Sequence, residues 1–213
     1  MDATRIIAIR HGETAWNVDT RIQGQLDIPL NGVGEWQAQQ VATALAEEPV
    51  AAVYTSDLRR AHGTALPLAS TRGITAQLET GLRERGFGSL EGMTFAEIEH
   101  QLPEQARRWR TREPDYVPEG GGESLLQFRE RVTDTLDRLA ARHAGEQIVV
   151  VGHGGVMDVL YRAATGQELQ APRTWKLGNA AINRLLWTPQ GLALVGWADD
   201  THLQRTERDE FSA

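Results

Sequence analysis

The sequence predicts an α/β domain with a mostly parallel sheet, because short apolar runs alternate with longer helical stretches. The predicted strands are rich in β-branched or apolar residues and lie at 4–9, 51–54, 147–151, 181–187 and 192–197, with a weaker run at 74–78. The predicted helices lie between them, at about 31–47, 57–72, 92–109, 123–143 and 155–165. Strands that alternate with helices of this length are typical of a parallel sheet joined by helical crossovers.

Residues that commonly begin and end helices support these boundaries. Asn31, Asp57 and Ser124 stand near the starts of three predicted helices, where a side-chain N-cap is expected. Gly73 and Gly145 follow two of the helices and are expected to end them.

The chain is long enough for one large domain, since it has 213 residues of which 40% are hydrophobic. We expect a single domain over residues 1–198. The stretch REPDYVPEGGGES at 112–124 is rich in proline, glycine and acid, which predicts a loop. Together with the helical stretch before it, this loop is expected to form an inserted cap, residues 92–124, over the site described below. Residues 199–213 are mostly charged and polar and are expected to be a flexible tail.

The composition argues against several classes of protein. The absence of cysteine excludes disulfides and thiolate metal sites, and it fits a cytoplasmic protein. The N-terminus lacks a basic segment followed by a long apolar one, and no apolar run is long enough to span a membrane. The formal net charge of -7 argues against a nucleic-acid partner, although a local cluster of cations could still bind a small anion. We therefore expect a cytoplasmic protein with neither nucleic acid nor a membrane as its partner.

Polar residues of an unusual kind follow three of the predicted strands. They are Arg10 and His11, Arg59 and Arg60, and His153. In an open parallel sheet ligands bind beyond the carboxyl ends of the strands, so two histidines and up to three arginines are expected to meet at one edge. Because Arg59 and Arg60 are adjacent on a predicted helix, only one of them is expected to face that edge.

The residue types at this edge predict a site for a phosphoryl group. The glycines that follow each histidine allow a sharp turn and a close approach of the backbone to a ligand. Helix N-termini after these turns would contribute N–H donors and the positive end of a dipole. The planar fork of arginine binds phosphate oxygens in bidentate fashion.

Other interpretations of these residue types are less favoured. The four remaining histidines are interpreted as structural or surface residues: His62, His100, His143 and His202. The cluster RRWR at 107–110 is interpreted as a solvated helix face that could help to recruit an anion. Two histidines and a glutamate could hold a catalytic zinc ion, but no HExxH or HxH spacing occurs and the neighbouring arginines would repel a dication. We therefore expect no metal site.

Five motifs occur together in an order typical of one family: RHGETAWN (10–17), QGQLDIPL (23–30), SDLRRAHGTA (56–65), LRERGFGSLEG (82–92) and VGHGG (151–155). Together they resemble the histidine phosphatase superfamily, in the branch that contains cofactor-dependent phosphoglycerate mutases and related phosphatases. The resemblance covers residues 4 to about 197. It implies a three-layer α/β/α sandwich around a mostly parallel sheet.

The resemblance also implies roles for the residues at matching positions. His11 is the implied nucleophile that becomes phosphorylated, and Glu84 is the implied proton donor. The residues implied to hold the phosphoryl oxygens are Arg10, Asn17, Arg60 and His153, with Arg60 preferred over Arg59 because the family pattern uses the second basic residue. The residues implied to contact the substrate are Gln23, Gly24 and Gly154. No metal or cofactor is needed for this chemistry.

The resemblance leaves the second chemical step open between a phosphatase and a mutase. Mutases of the family carry a pattern like ERHYGALQGLNK after the glutamate, and here the stretch reads ERGFGSLEGMTF. Phe87 replaces the tyrosine and the lysine is missing, which favours hydrolysis of a small phosphorylated metabolite. Phosphoglycerate mutase activity remains the alternative, since Arg107, Arg108 or Arg110 could supply the missing contacts.

A third hypothesis is a module that binds a phosphorylated ligand without turning it over. The intact set of His11, Glu84 and His153 argues against it, because a binding module would be free to lose the acid. The identity of the substrate is left open. So is a homodimer, which could form through the apolar C-terminal strands.

Overall fold

The computed structural model describes residues 2–204 and builds them around a single mixed sheet. The strands of this part of the chain are β1 (Thr4–Arg10), β2 (Ala52–Thr55), β3 (Ala76–Leu78), β4 (Gln147–Gly152), β5 (Ile182–Thr188) and β6 (Gly191–Asp199). They lie in the order β3-β2-β4-β1-β5-β6. The first four strands pair in parallel, and β5 and β6 are added antiparallel. The prediction of a mostly parallel sheet is confirmed.

Helices cover both faces of the sheet. In the described residues they are α1 (Ala15–Val18), α2 (Gly32–Ala44), α3 (Arg59–Thr71), α4 (Phe95–Gln101), α5 (Pro103–Arg110), α6 (Leu125–Ala140) and α7 (Gly154–Thr165). Single 3-10 turns occupy Thr80–Leu82, Gly88–Leu90 and Thr201–Leu203.

The alternation of side chains along β1 shows why the sheet needs two helical layers. Ile6 and Ala8 pack into one hydrophobic cluster with residues of α6 and α7. Ile7 and Ile9 point to the opposite face, where they pack with residues of α2 and α3. A strand that is buried on both faces reads as a continuous apolar run, as this one does. The three-layer α/β/α arrangement is confirmed.

The helix boundaries agree with the sequence at two of the three predicted N-caps. The Asn31 and Ser124 side chains each accept a hydrogen bond from a backbone N–H in the first turn of their helices. The prediction for Asp57 was wrong, because Leu58 is the N-cap of α3. The carboxylate of Asp57 instead accepts hydrogen bonds from Arg83, at 2.7 Å and 2.5 Å.

One of the two glycines predicted to end helices does so. Gly73 and Gly145 have φ values of 63° and 83°, in the left-handed region that favours glycine. Helix α3 ends at Thr71 and α6 ends at Ala140. Gly73 directly follows the C-cap Arg72, and the backbone N–H groups of Gly73 and Ile74 donate to the carbonyls of Ser70 and Ala69, so Gly73 ends α3 as predicted. Gly145 lies well beyond the last residue of α6, so it shapes the following turn and does not end that helix.

The 92–124 segment holds two short helices where the sequence predicted one. Pro103 interrupts the predicted helix because a proline nitrogen cannot donate to the preceding turn, and it begins α5. The two helices pack around a small cluster of their own, which contains Leu90, Ile98 and Ala106. The loop predicted over 112–124 has no helix or strand before α6.

The expected flexible tail starts inside the folded part of the chain. Strand β6 extends to Asp199, and the side chain of Leu203 packs against the cluster under α2 and α3. Residues 205–213 lie outside the described residues. The homodimer through the C-terminal strands stays a prediction. Among the helices of residues 2–204, none is both long and apolar enough to cross a membrane.

Candidate active site

The carboxyl ends of β1 and β4 bring the two predicted histidines together. These strands are neighbours in parallel register, with Arg10 opposite Gly152. The backbone N–H of His11 donates to the carbonyl of Gly152 at 2.9 Å, which continues the pairing past the end of the strand. As a result, the rings of His11 and His153 lie with their centroids 5.2 Å apart.

The ring of His11 is buried and oriented by the turn that follows the strand. Its Nδ1 lies 2.7 Å from the carbonyl oxygen of Gly12. Because a carbonyl can only accept, Nδ1 carries the proton and Nε2 keeps its lone pair. Burial, followed by the charges of Arg10 and Arg60, lowers the pKa of His11 well below its ordinary value. The neutral imidazole is therefore the stable form in this pocket.

The ring of His153 is fully buried and has the opposite tautomer. His153 is the N-cap of α7, and its Nδ1 accepts a hydrogen bond from Nε of Arg60 at 3.2 Å. A neutral ring that accepts at Nδ1 carries its proton on Nε2, and this buried Nε2 has no partner among the described residues. Burial, then Arg60 and His11, lower the pKa of His153 well below its ordinary value.

Arg60 is the arginine of the adjacent pair that faces the site. It is fully buried in the first turn of α3, whereas Arg59 is exposed. Its guanidinium donates to the backbone carbonyls of Leu26 and Gly24, at 2.7 Å and 2.6 Å. Burial lowers the pKa of Arg60 to about 10, so it stays charged at neutral pH. Carbonyl oxygens orient this group without cancelling its charge.

Arg10 and Asn17 complete the cluster, and a residue that the sequence did not predict joins them. The guanidinium of Arg10 donates to the carbonyl of Leu177, and its buried Nε has no partner within residues 2–204. The Nδ2 group of Asn179 donates to the carbonyl of His11 at 2.9 Å and to Oδ1 of Asn17 at 3.3 Å. No sequence signal pointed to Asn179, which lies in the loop between α7 and β5.

The carboxylate of Glu84 is held at the start of α7. Its Oε2 accepts from the backbone N–H of Gly155 at 2.9 Å, and its Oε1 accepts from the N–H of Arg85 at 2.8 Å. A Cβ at position 155 would lie 2.2 Å from Oε1 of Glu84 and 2.9 Å from the ring of Phe128. Only glycine at this position lets the carboxylate approach the helix so closely.

The three residues predicted to contact substrate lie around the same cluster. The buried Oε1 of Gln23 has no partner within the described chain. The carbonyl of Gly24 holds Arg60, and its φ of 50° is in the left-handed region. A Cβ on Gly154 would lie 3.5 Å from Nε of Arg10, so the backbone there lies beside that guanidinium.

Two adjoining cavities meet at Glu84. The phosphoryl pocket, as we call the first, has a volume of about 170 Å³, and its lining includes Arg10, His11, Asn17, Gln23, Gly24, Arg60 and Glu84. The second cavity, of about 160 Å³, has mostly apolar walls with a few charged groups: Glu84, Arg85, Phe87, Trp109, Arg112, Leu125, Phe128, Gly155, Asp158, Val159, Leu169 and Arg173. Glu84, Phe87 and Trp109 line both, so the carboxylate stands where the two cavities join.

Several residues of the second cavity were missed or misread at the sequence level. Trp109, which the sequence placed on a solvated helix face, stacks on Phe87 with the ring centroids 4.9 Å apart. The neighbouring arginines point away and pair with carboxylates: Arg107 and Arg108 with Glu113, and Arg110 with Glu99. Arg112 and Arg173 were not singled out, because each comes from a loop without a recognisable motif.

The geometry supports in-line displacement at phosphorus by a histidine nitrogen. The pocket offers one unprotonated nitrogen, the guanidinium groups of Arg10 and Arg60 and a buried N–H donor, with a carboxylate beside it. Arg21 also lines the pocket, but it pairs with Glu97. Among residues 2–204, no three His, Asp or Glu side chains are grouped closely enough to hold a metal ion.

Comparisons with known proteins find relatives over almost the whole chain. A family model of the histidine phosphatase superfamily (branch 1) matches residues 6–200. The chain is 40% identical over 204 residues to a metal-independent phosphoserine phosphatase of Arabidopsis thaliana, covering 95% of this chain and 84% of the relative. It is 39% identical over 209 residues to a phosphoglycerate mutase-like protein of the same plant, covering 97% and 90%.

Solved structures show the same similarity. A phosphoserine phosphatase mutant from Entamoeba histolytica, in complex with phosphoserine, superposes with a TM-score of 0.84 at 28% identity. The match covers 94% of this chain and all of the other chain.

Proposed function

This chain belongs to the histidine phosphatase superfamily, and we propose that it is a metal-independent phosphatase that hydrolyses a small phosphate monoester through a phosphohistidine intermediate. The observation that carries the proposal is the state of His11. Its Nδ1 donates to the Gly12 carbonyl, so the lone pair of Nε2 is free in a pocket lined by Arg10 and Arg60, with the ring of His153 beside that of His11. This arrangement suits nucleophilic attack better than simple binding.

In the first step, Nε2 of His11 attacks phosphorus, and the bond from phosphorus to the ester oxygen breaks. The protonated carboxyl of Glu84 gives its proton to the departing oxygen, so an alcohol leaves and Glu84 becomes a carboxylate. Arg10, Arg60 and the Nε2–H of His153 donate to the phosphoryl oxygens, and they stabilise the charge that spreads over those oxygens in the transition state. Asn17 and Gln23 complete the contacts to this group.

In the second step, water replaces the alcohol beside Glu84. The carboxylate accepts a proton from the water as its oxygen attacks phosphorus, and the bond between phosphorus and Nε2 breaks. His11 returns to the neutral ring with its proton on Nδ1, Glu84 is again protonated, and inorganic phosphate leaves. The same group therefore acts as acid and then as base, and the two steps balance without another reactant.

The leaving group lies in the second cavity, because Glu84 stands where that cavity joins the phosphoryl pocket. The similarity to two phosphoserine phosphatases makes phosphoserine the first substrate to test. Hydrolysis is favoured over phosphoglycerate mutase activity because the side chain of Phe87 stacks on Trp109 and offers no hydroxyl to a substrate.

The test is hydrolysis of p-nitrophenyl phosphate in EDTA by the wild type and by His11→Ala, with His100→Ala as the matched control at an exposed histidine. We expect turnover to disappear in His11→Ala and to stay in the control. The wild type and the control should also form an acid-labile phosphoenzyme during turnover. Glu84→Ala should lose about 100-fold or more in kcat while it still binds inorganic phosphate.

Activity that requires added zinc, or that survives in His11→Ala, would overturn the covalent mechanism. If the protein binds phosphate but hydrolyses no ester, it is a binding module and not a phosphatase. Efficient interconversion of phosphoglycerates without hydrolysis would make the chain a mutase.

A further inference from the structure

Arg10 lines the phosphoryl pocket and also a neighbouring groove of about 570 Å³. The rest of the groove is formed by the start of α7 and by part of the loop between α7 and β5: Gly154, Gly155, Arg173, Trp175, Lys176, Leu177 and Gly178. Three of the described lining residues are cationic and none is acidic. In a chain with a net charge of -7, a concave cluster of this kind is a local site for an anion.

The backbone of the loop is fixed while its cationic side chains are left without partners. The carbonyl of Leu177 accepts from Arg10, and the carbonyl of Lys176 accepts from Nε1 of Trp197 at 2.9 Å. Arg173 and Lys176 are exposed, and within residues 2–204 neither side chain makes a hydrogen bond or an ion pair. The two charges are thus presented at a defined place and are not neutralised by the fold.

The groove lies close to the reacting groups. Arg173 and Gly155 line both the groove and the second cavity, and Glu84 stands in that cavity. Burial lowers the pKa of Arg10, the Glu84 carboxylate opposes this, and the charge of Arg173 lowers it further. Arg173 is therefore close enough to interact with the leaving group of a substrate whose phosphoryl group is bound at His11.

We propose that Arg173 and Lys176 form a subsite for a second anionic group of the substrate, a carboxylate or a second phosphate carried by the leaving group. The proposal rests on the phosphatase function and names the chemical class of its substrate. Arg173 supplies a planar fork suited to such oxygens, and Lys176 supplies a point charge beside it. Esters with a neutral leaving group fill the phosphoryl pocket but gain nothing from this subsite.

The first test compares two substrates that differ only in the second group. 3-Phosphoglycerate carries a carboxylate where glycerol 3-phosphate carries a hydroxymethyl group. In Arg173→Gln/Lys176→Gln, we expect kcat/KM for 3-phosphoglycerate to fall by about fivefold through KM, a size set by the exposure of both groups. Activity on glycerol 3-phosphate and p-nitrophenyl phosphate should fall far less, and the difference between wild type and variant on 3-phosphoglycerate should shrink in high salt.

The matched control is Arg129→Gln, which removes an exposed arginine of α6 that lines neither cavity nor the groove. It should leave the preference for 3-phosphoglycerate intact. Equal losses on both glycerol-based substrates, or no loss on either, would overturn the subsite. A bisphosphate of propane-1,3-diol as a further substrate shows whether a carboxylate or a second phosphate is preferred.

A second test needs no turnover, since Lys176 is the single lysine of the chain. Reductive methylation with ¹³C-formaldehyde keeps its charge and gives one lysine signal in NMR spectra. In His11→Ala, 3-phosphoglycerate should shift this signal, while glycerol 3-phosphate and inorganic phosphate should shift it far less. Equal shifts with all three would contradict the subsite even if the enzyme hydrolyses esters. A selective shift in a protein that hydrolyses nothing would instead contradict the phosphatase function and leave the subsite standing.

Discussion

The phosphoryl pocket and the 92–124 segment both carry arginines, but the two regions hold them with different partners. In the pocket, the guanidinium groups of Arg10 and Arg60 donate to backbone carbonyls. On α5, Arg107 and Arg108 pair with glutamates instead. A carbonyl orients a guanidinium and leaves its charge intact, whereas a carboxylate cancels that charge. The type of partner therefore indicates which arginines are available to an anionic ligand.

The pocket residues and the arginines of α5 also differ in burial. Arg60 and His153 are fully buried and His11 is nearly so, which means that water screens their interactions very little. The arginines of α5 lie at the surface, where salt and water weaken each pair. We therefore expect changes in the pocket to have large effects and changes on α5 to have small ones.

Within this comparison, the largest effect on activity is expected in the pocket, from the addition of a single methyl group at Gly155. In Gly155→Ala the new Cβ would lie 2.2 Å from Oε1 of Glu84, so the carboxylate must move. A displacement of about 1 Å can cost about 100-fold in rate, and we expect kcat for p-nitrophenyl phosphate to fall by that order. Steady-state kinetics and a thermal unfolding curve separate this loss from unfolding.

Gly32→Ala is the control for that substitution, because a Cβ at position 32 meets no atom within 4 Å. It should leave kcat unchanged. Full activity in Gly155→Ala would mean that the position of Glu84 seen here is not needed for turnover.

The two buried histidines should make folding stability depend on pH. Burial lowers the pKa of both His11 and His153 in the folded state, while in the unfolded chain both rings become protonated at about pH 6.5. The unfolded state thus binds more protons below that pH, and stability falls as the pH is lowered through this range. Two such groups give a slope of at most about 2.7 kcal/mol per pH unit.

Urea unfolding between about pH 5 and 7.5 measures this slope. The double variant His11→Gln/His153→Gln should reduce it, and His100→Gln, at an exposed site, should not. The same slope in all three proteins would show that the two rings become protonated without opposing the fold.

The part of the site that could be predicted from the sequence is the part set by strand ends. His11, Arg60 and His153 follow short apolar runs, and parallel pairing of those runs is enough to bring them to one edge. Arg173 and Asn179 come from a loop with no periodicity, so their positions depend on contacts that form only in the folded chain.

The errors in the fold have local causes. Asp57 is a good N-cap residue by type, but its carboxylate is taken by Arg83 from a distant turn. Pro103 did carry a signal that the helix should break, and the apolar spacing on both sides of it masked that signal. Trp109 was predicted to lie on a solvated helix face together with its charged neighbours, but its ring stacks on Phe87 and lines the site.

The smallest effect is expected on α5, where the sequence left a role for anion recruitment open. Arg107 pairs with Glu104 at 2.7 Å and with Glu113 at 3.2 Å, and its side chain is half exposed. Arg107→Gln removes a charge that two carboxylates already offset, so kcat/KM for 3-phosphoglycerate and for p-nitrophenyl phosphate should stay within the error of measurement. The opposite result would be a fall in kcat/KM for 3-phosphoglycerate as large as that expected for Arg173→Gln/Lys176→Gln. It would show that an arginine paired with carboxylates can still contribute to substrate binding. The partner of a guanidinium would then be no guide to its function in this protein.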